Sequence, residues 1–382
     1  MHRIPREPCA APYLVPLPEG ASAWRVSRYA DVRELLGDTN FTRAGLYADE
    51  YQDRSAEGGI IGDRDLLFNQ DGPEHLRLRR TVGRAFTPRA VARWEPWITT
   101  TVEELIEGLA RRDGPFDLIP GLARALPVTV ITRLLGLEGD AWERIGHWSD
   151  LAFTDGSHSQ AELTSGLSEF AQFGGELLAL RRKNPGEDLV SGIVTAADAE
   201  GDIPEAQLVR LVCGMVVGGH DSTMTTLGNV LLYLLTERRA DWPRLADPAA
   251  AGLAADRLLH TVALGEGPGS LRRCHADTEL GGVRIPAGAL VVADYVAANR
   301  DPEVFPPADA DDLFSELPAP TLAFGGGPHY CMGAWLARLE LRTALHRLAT
   351  RLPGLRLVPG DGGVEWRLGT RSRGPKRLMA VG

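Results

Sequence analysis

LAFGGGPHYCMGAWLARL, residues 322–339, brings one cysteine to the tip of a glycine-rich turn and starts a helical pattern directly behind it. The backbone N–H groups of such a turn and the N-terminus of the following helix both point towards the sulfur. Together they favour the thiolate over the thiol, which is what a metal-ligating cysteine needs. Gly327 and Gly333 let the chain turn tightly and leave room beside the sulfur for a planar group. The bland alternative is a small buried hydrophobe, the usual fate of a lone cysteine.

Outward from this turn, apolar residues recur at three and four. The pattern predicts helices over Ala23–Leu36, His75–Phe86, Pro88–Ala110, Leu122–Leu135, Asp140–Phe153, Ala161–Arg182, Pro204–Leu235 and Trp335–Thr350. Strand signals are short and late, at Leu280–Ile285 and Ala289–Ala293, on either side of the turn Pro286-Ala287-Gly288. The fold class is therefore mainly α with small β-sheets, read as one domain over residues 1–382. Pro204–Leu235 would extend about 48 Å at 1.5 Å per residue. Its centre, Leu211–Gly219, is uncharged on every face, so it should cross the core. Arg210, Asp221 and the polar run Ser222–Thr226 leave too short an apolar stretch for a membrane span. Gly214, Gly218 and Gly219 weaken this helix, and the expected reason is close approach of a flat or bulky group.

Composition excludes several classes. Forty-one basic against 51 acidic residues, a net charge of −10, lacks the basic footprint of a nucleic-acid binder. Met1–Leu14 carries no apolar run long enough for a signal peptide or anchor, which points to no membrane association and a cytoplasmic protein. The four cysteines, Cys9, Cys213, Cys274 and Cys331, contain no Cys-x-x-Cys pair, so neither a disulfide framework nor a zinc site is expected.

Phe324, Gly327, Cys331 and Gly333 match the Phe-x-x-Gly-x-x-x-Cys-x-Gly signature, and the chain resembles the soluble bacterial cytochromes P450. That resemblance implies the cytochrome P450 fold, with the long helix over a haem b (iron protoporphyrin IX) held by Cys331 as axial thiolate, and Phe324 and Gly333 beside it. It covers nearly the whole chain. DGPEHLRLRR, residues 71–80, is similar to the family's His-x-x-x-Arg helix, which implies haem-propionate binding by His75 and Arg79, completed by Arg272 and His329. The alternatives are a solvated helix face and a plain loop histidine. Gly218-Gly219-His220-Asp221-Ser222-Thr223 resembles the oxygen-activating motif. It implies Asp221 as proton-relaying carboxylate and Ser222 as the alcohol, with Thr223 able to share that role. Serine stands where the family usually has threonine. The competing readings are a salt-bridged Asp221 and a Ser222 bonded back to the carbonyl of Gly218.

The implied activity is hydroxylation or epoxidation of a small apolar metabolite. Electrons would come from a separate ferredoxin and ferredoxin reductase, received at Arg338 and Arg342 unless these form a solvated face. Two other readings compete, a non-catalytic relative that activates another enzyme and a peroxide-driven or coupling haem-thiolate enzyme. Ala44–Asp65 and Leu151–Gly175 resemble the variable lid regions.

One departure stands out. The family's Glu-x-x-Arg is absent, with Arg257 and His260 at the corresponding positions. The loop at Phe305–Phe314 has meanwhile gained Asp309, Asp311 and Asp312. Either polarity has been exchanged, with Arg257 reaching one of these aspartates, or the helix has been released and Arg257 is solvated.

Overall fold

A computed structural model describes residues 9–17, 20–48, 63–137, 141–153, 158–201, 203–264, 269–306, 312–360, 363–367 and 372–382. Twelve α-helices are found among these: α1 (Tyr29–Gly37), α2 (Gly72–Gly83), α3 (Pro88–Ala92), α4 (Glu95–Ala110), α5 (Ala125–Leu134), α6 (Ala141–Phe153), α7 (Gln160–Lys183), α8 (Leu189–Glu200), α9 (Glu205–Thr236), α10 (Pro248–Thr261), α11 (Tyr295–Ala298) and α12 (Ala334–Arg351). The strands are β1 (Tyr13–Pro16), β2 (Ser22–Val26), β3 (Phe41–Thr42), β4 (Phe116–Asp117), β5 (Gly269–Cys274), β6 (Thr278–Leu280), β7 (Val283–Ile285), β8 (Leu290–Asp294), β9 (Arg356–Leu357), β10 (Val364–Trp366) and β11 (Pro375–Val381). The largest sheet runs β1-β2-β8-β5-β3, and a second joins β10, β11 and β4, with β9 also on β11.

The long helix is where the spacing puts it. Pro204 stands just outside α9 as its N-cap, and Leu211, Val212, Val216, Leu227, Val230, Leu231 and Leu234 are buried along its length. Each such side chain contributes about 1.5–3 kcal/mol by leaving water. Helices α5, α6 and α7 pack around it. Among the described residues no helix is long and apolar enough to cross a membrane.

Three predicted elements change. Ala23–Leu36 is not one helix: Ser22–Val26 is a strand paired in parallel with β8, and the helix begins at Tyr29. Apolar residues at Ala23 and Val26 satisfy a helical spacing equally well, so pairing with distant β8 decides the outcome. The pairing is locked by a buried ion pair between Arg25 and Asp294, 2.6 Å apart. Pro88–Ala110 is two helices, because Pro96 lacks an N–H and suits the first turn of α4 rather than an interior. Leu280–Ile285 is a hairpin, turned by Gly281 and Gly282 at φ +59° and +80°. Two helices that the spacing does not delimit, α8 and α10, start on side-chain caps from Asp188 and Asp247.

Candidate active site

The turn before α12 closes on itself through the Cys331 N–H, which donates to the Phe324 carbonyl at 2.9 Å. Gly327 has φ +61°, and a Cβ there would lie 1.9 Å from the Leu36 carbonyl oxygen. Its glycine is thus required by close packing on the end of α1, not only by room for a cofactor. Gly333 has ordinary backbone angles, but an added Cβ would touch the Cys331 sulfur at 3.9 Å. Burial pushes the Cys331 thiol up, against the Gly333 and Ala334 N–H groups and the guanidinium groups of Arg79 and Arg338. Phe324 packs beneath this turn with the Arg338 guanidinium 4.5 Å from its ring centre.

Helix α2 turns His75 and Arg79 towards the same turn. The His75 ring stacks on His329 at 4.3 Å, and Arg79 donates to the Tyr330 carbonyl. His329 Nε2 bonds Asp71 Oδ1 at 2.9 Å. Arg272, on β5, is buried beside Tyr295 and acts electrostatically on Asp71, His75 and His329. All four sequence-predicted cationic groups therefore converge beside Cys331. Burial pushes His75 down to about 4, with His329 and Arg79 adding in the same direction.

Two buried donors here have no hydrogen-bond partner among the described residues, His75 Nδ1 and Arg272 Nε. An unpaired buried polar atom is costly, so an arrangement of basic groups with unspent donors is built for a ligand. A dianionic edge such as the haem propionates matches that donor set, and Cys331 would supply the axial thiolate. The readings of His75 and Arg79 as a solvated face, and of His329 as a plain loop residue, do not hold, because His75 is buried and the other two are bonded into the turn.

The three residues predicted on the central helix form a second cluster. Asp221 is 0% exposed, and both its oxygens are engaged: Arg367 Nη1 reaches Oδ1 at 2.5 Å and the Ser372 hydroxyl donates to Oδ2 at 2.5 Å. Thr225, one turn on, bonds both partners at 3.3 and 3.4 Å, and Asn229, a further turn on, donates to the Arg373 carbonyl. Ser222 donates to the Gly218 carbonyl at 2.9 Å, and Thr223 is half-buried beside it. The salt-bridged Asp221 and back-bonded Ser222 are thus the arrangements present. His220 is fully buried with neither ring nitrogen bonded, and burial pushes it down to about 3, helped by Arg124 and Arg367. It is a neutral imidazole next to the acid. Of the three glycines singled out in the sequence of this helix, Gly214 faces Leu66 and Gly219 faces Ile131, while a side chain at Gly218 would meet nothing within 4 Å.

Arg257 and His260 both pack on the chain that leads to the cysteine turn. Arg257 is 5% exposed, not solvated, and donates to the Ser315 carbonyl at 2.9 Å, the Ser315 hydroxyl at 2.5 Å and the Glu316 carbonyl at 2.6 Å. Asp309 and Asp311 lie outside the described residues, so the proposed exchange is not placed there; what Arg257 holds is the chain just after them. Its neighbour Asp256 pairs with Arg338 at 2.7 Å, and Arg338 also bonds the Tyr330 hydroxyl. His260 turns onto the Phe305 ring, 4.4 Å between centres. Arg338 is accordingly a brace between α10 and the cysteine turn rather than a solvated group, and Arg342 pairs with Glu95 at 2.8 Å. Of the predicted lid segments, residues 49–62 and 154–157 lie outside the described residues, Gly58, Gly59 and Gly62 among them.

Sequence reasoning missed Asp71, Tyr295, Arg367 and Ser372. Asp71 was quoted only as the start of the His-x-x-x-Arg stretch, and the others carry no local signal.

Comparison with known proteins gives the family. A family model described as Cytochrome P450 matches residues 267–352, which include Arg272, His329 and Cys331. Nocardicin C N-oxygenase of Nocardia uniformis subsp. tsuyamanensis is 38% identical over 366 residues, 95% of this chain and 90% of that protein. Mycinamicin IV hydroxylase/epoxidase of Micromonospora griseorubida is 37% identical over 367 residues, again 95% and 90% of the two chains. Among solved structures, the LnmA cytochrome P450 hydroxylase from the leinamycin biosynthetic pathway of Streptomyces atroolivaceus S-140 superposes with a TM-score of 0.88 at 36% identity, covering 97% of this chain and 92% of the other.

Proposed function

Because the chain belongs to the cytochrome P450 family, and is on that ground a haem-iron monooxygenase, we propose that it hydroxylates or epoxidises a small apolar metabolite as a tailoring step in natural-product biosynthesis. When bound, the haem activates O2, so that one oxygen atom enters the substrate and the other leaves as water, at the expense of two electrons and two protons. The observation that carries this reading is the convergence of His75, Arg79, Arg272 and His329 beside Cys331, with two buried donors still unspent. Those four would hold the propionates, and Cys331 the iron. Noncovalent haem b is the form this supports, since the sequence has no Cys-x-x-Cys pair for thioether attachment.

Asp221 is the acid of the relay. With both oxygens bonded, it passes protons through the Ser372 hydroxyl, or after Arg367 or Ser372 lets go. The Ser222 hydroxyl, now spent on the Gly218 carbonyl, is free to rotate towards a reacting oxygen, and Thr223 stands next to it. Arg338 and Arg342 are both paired within the chain, so neither is a free cation for an acidic partner. Electrons come from a ferredoxin and its reductase in the cytoplasm, and the whole chain acts as one domain.

The test is a reconstituted reaction with a surrogate ferredoxin, reductase, NADPH and 18O2, offered a panel of apolar macrolides and aromatic polyketides. One 18O atom per product is expected. A coupled product without label would establish the coupling reading, and turnover with hydrogen peroxide but not with NADPH the peroxide-driven one. No turnover by any route would favour the non-catalytic partner.

A further inference from the structure

Asp71 occupies the N-cap of α2, and Gly72 after it is at φ +70°. An aspartate at that position ordinarily accepts a backbone N–H from the first turn of its own helix. Here the side chain makes no such bond. Oδ2 instead takes the N–H groups of Arg43 and Ala44, each at 2.7 Å, and Oδ1 takes His329 Nε2 at 2.9 Å. The left-handed turn at Gly72 swings the helix away from the carboxylate and leaves it facing the cysteine turn.

The neighbours of Asp71 favour its charged form, but a carboxylate competes with the ligand read for this pocket. His329, Arg272 and His75 lie around it, and the ligand read for this pocket is itself dianionic. A second anion there weakens the attraction for the first unless it does something else. What it does is visible in the bonding. It commits one nitrogen of the His329 ring, so only Nδ1 remains for the ligand, and it fixes the plane in which His329 stacks on His75. Outer carboxylates that orient imidazoles in this way are a common device around metal centres.

We propose that Asp71 is a positioning residue for the haem edge, acting through His329 by fixing its tautomer and ring plane, while its second oxygen ties the chain at Arg43 and Ala44 to the same point. This rests on the reading of His329 as a propionate ligand. It adds a residue that contacts no propionate itself and that the family motif does not contain.

Asp71→Asn separates the two duties. An amide oxygen still accepts from Arg43 and Ala44, but the amide N–H2 cannot accept the His329 N–H. The experiment follows haem transfer from the purified holoprotein to excess apomyoglobin in four proteins: parent, Asp71→Asn, His329→Ala and the double variant. Resonance Raman spectra are recorded in the propionate-bending region. The expected result is about tenfold faster haem transfer in Asp71→Asn, a displaced propionate band as in His329→Ala, and no further acceleration in the double variant. If His329→Ala accelerates transfer while Asp71→Asn behaves as the parent, the proposal is overturned and the propionate reading stands. If His329→Ala itself behaves as the parent, that reading falls, and the proposal with it. Should Asp71→Asn yield no haem protein, Asp71→Ser takes its place, since its hydroxyl still accepts backbone N–H groups, and the same outcomes apply.

Discussion

The two polar clusters of this protein both contain fully buried groups but are bonded in opposite ways. Around Cys331, His75 Nδ1 and Arg272 Nε are buried with no partner, and cationic groups outnumber the single carboxylate, Asp71. On α9, the Asp221 carboxylate is matched oxygen for oxygen by Arg367 and Ser372, and Thr225 and Asn229 extend the bonding along the same face. The first is a surface prepared for something from outside the chain. The second is a seam that fastens the C-terminal strands to the central helix. Unspent buried donors point to a ligand, whereas a buried charge with its partner in place is stable without one.

The sharpest way to break the contrast is at the seam. Arg367→Ala strands Asp221 without its cation, and a loss of about 3–5 kcal/mol of folding stability is expected, seen as a lower denaturation midpoint whether or not haem is present. Asp221→Asn keeps an oxygen for each partner to approach and should cost less stability, while slowing turnover more than it weakens substrate binding. An Arg367→Ala protein as stable as the parent would mean that the seam carries no energy.

His75→Ala combined with Arg79→Ala acts on the other cluster. The double variant loses the unspent His75 donor and one Arg79 bond to the Tyr330 carbonyl, so apoprotein stability should fall by less than the loss in haem affinity, about 2–5 kcal/mol. Haem titration of the refolded apoproteins reads this directly. Equal losses in apoprotein and holoprotein stability would show the two clusters to be alike after all.

Arg257→Ala probes the hold of α10 on the chain before the cysteine turn. Three acceptors, the Ser315 and Glu316 carbonyls and the Ser315 hydroxyl, lose a charged donor, so about 2 kcal/mol of stability should go. Proteolytic nicking near residue 315 is the complementary measurement, and it should increase.

A pH-dependent effect concerns Glu340 on α12, whose carboxyl burial pushes up to about 8 and whose Oε2 has no hydrogen-bond partner among the described residues. A folded-state value above the unfolded one means stability is lost as pH climbs from the unfolded value towards 8, because only the unfolded chain ionises freely. Glu340→Gln removes that slope. Its melting temperature relative to the parent should rise steadily between pH 5 and pH 8, and a pH-independent difference would contradict the buried neutral acid.

Much of this was legible beforehand, for reasons that particular residues make plain. Cys331, Gly327 and Phe324 sit within one short turn, so local spacing carried them. His75 and Arg79 share one face of one helix. The long α9 followed from its uncharged centre. Strand β2 was read as helix because its partner β8 lies far along the chain, and no local spacing reveals a parallel pairing. The partners of Asp221 were invisible for the same reason: Arg367 and Ser372 are 146 and 151 residues away. The bonds from Arg257 to the Ser315 and Glu316 carbonyls carry no sequence signal, because a guanidinium satisfies itself on backbone carbonyls as well as on side-chain acids.

The reduced carbon monoxide spectrum of the purified protein tests the central assignment most directly. With Cys331 as thiolate ligand, the parent shows the strongly red-shifted Soret band of a thiolate haem, and Cys331→Ser lacks it while still carrying His75, Arg79, Arg272 and His329. A Cys331→Ser protein that kept the red-shifted band, or a haem-loaded parent that never showed it, would contradict the assignment.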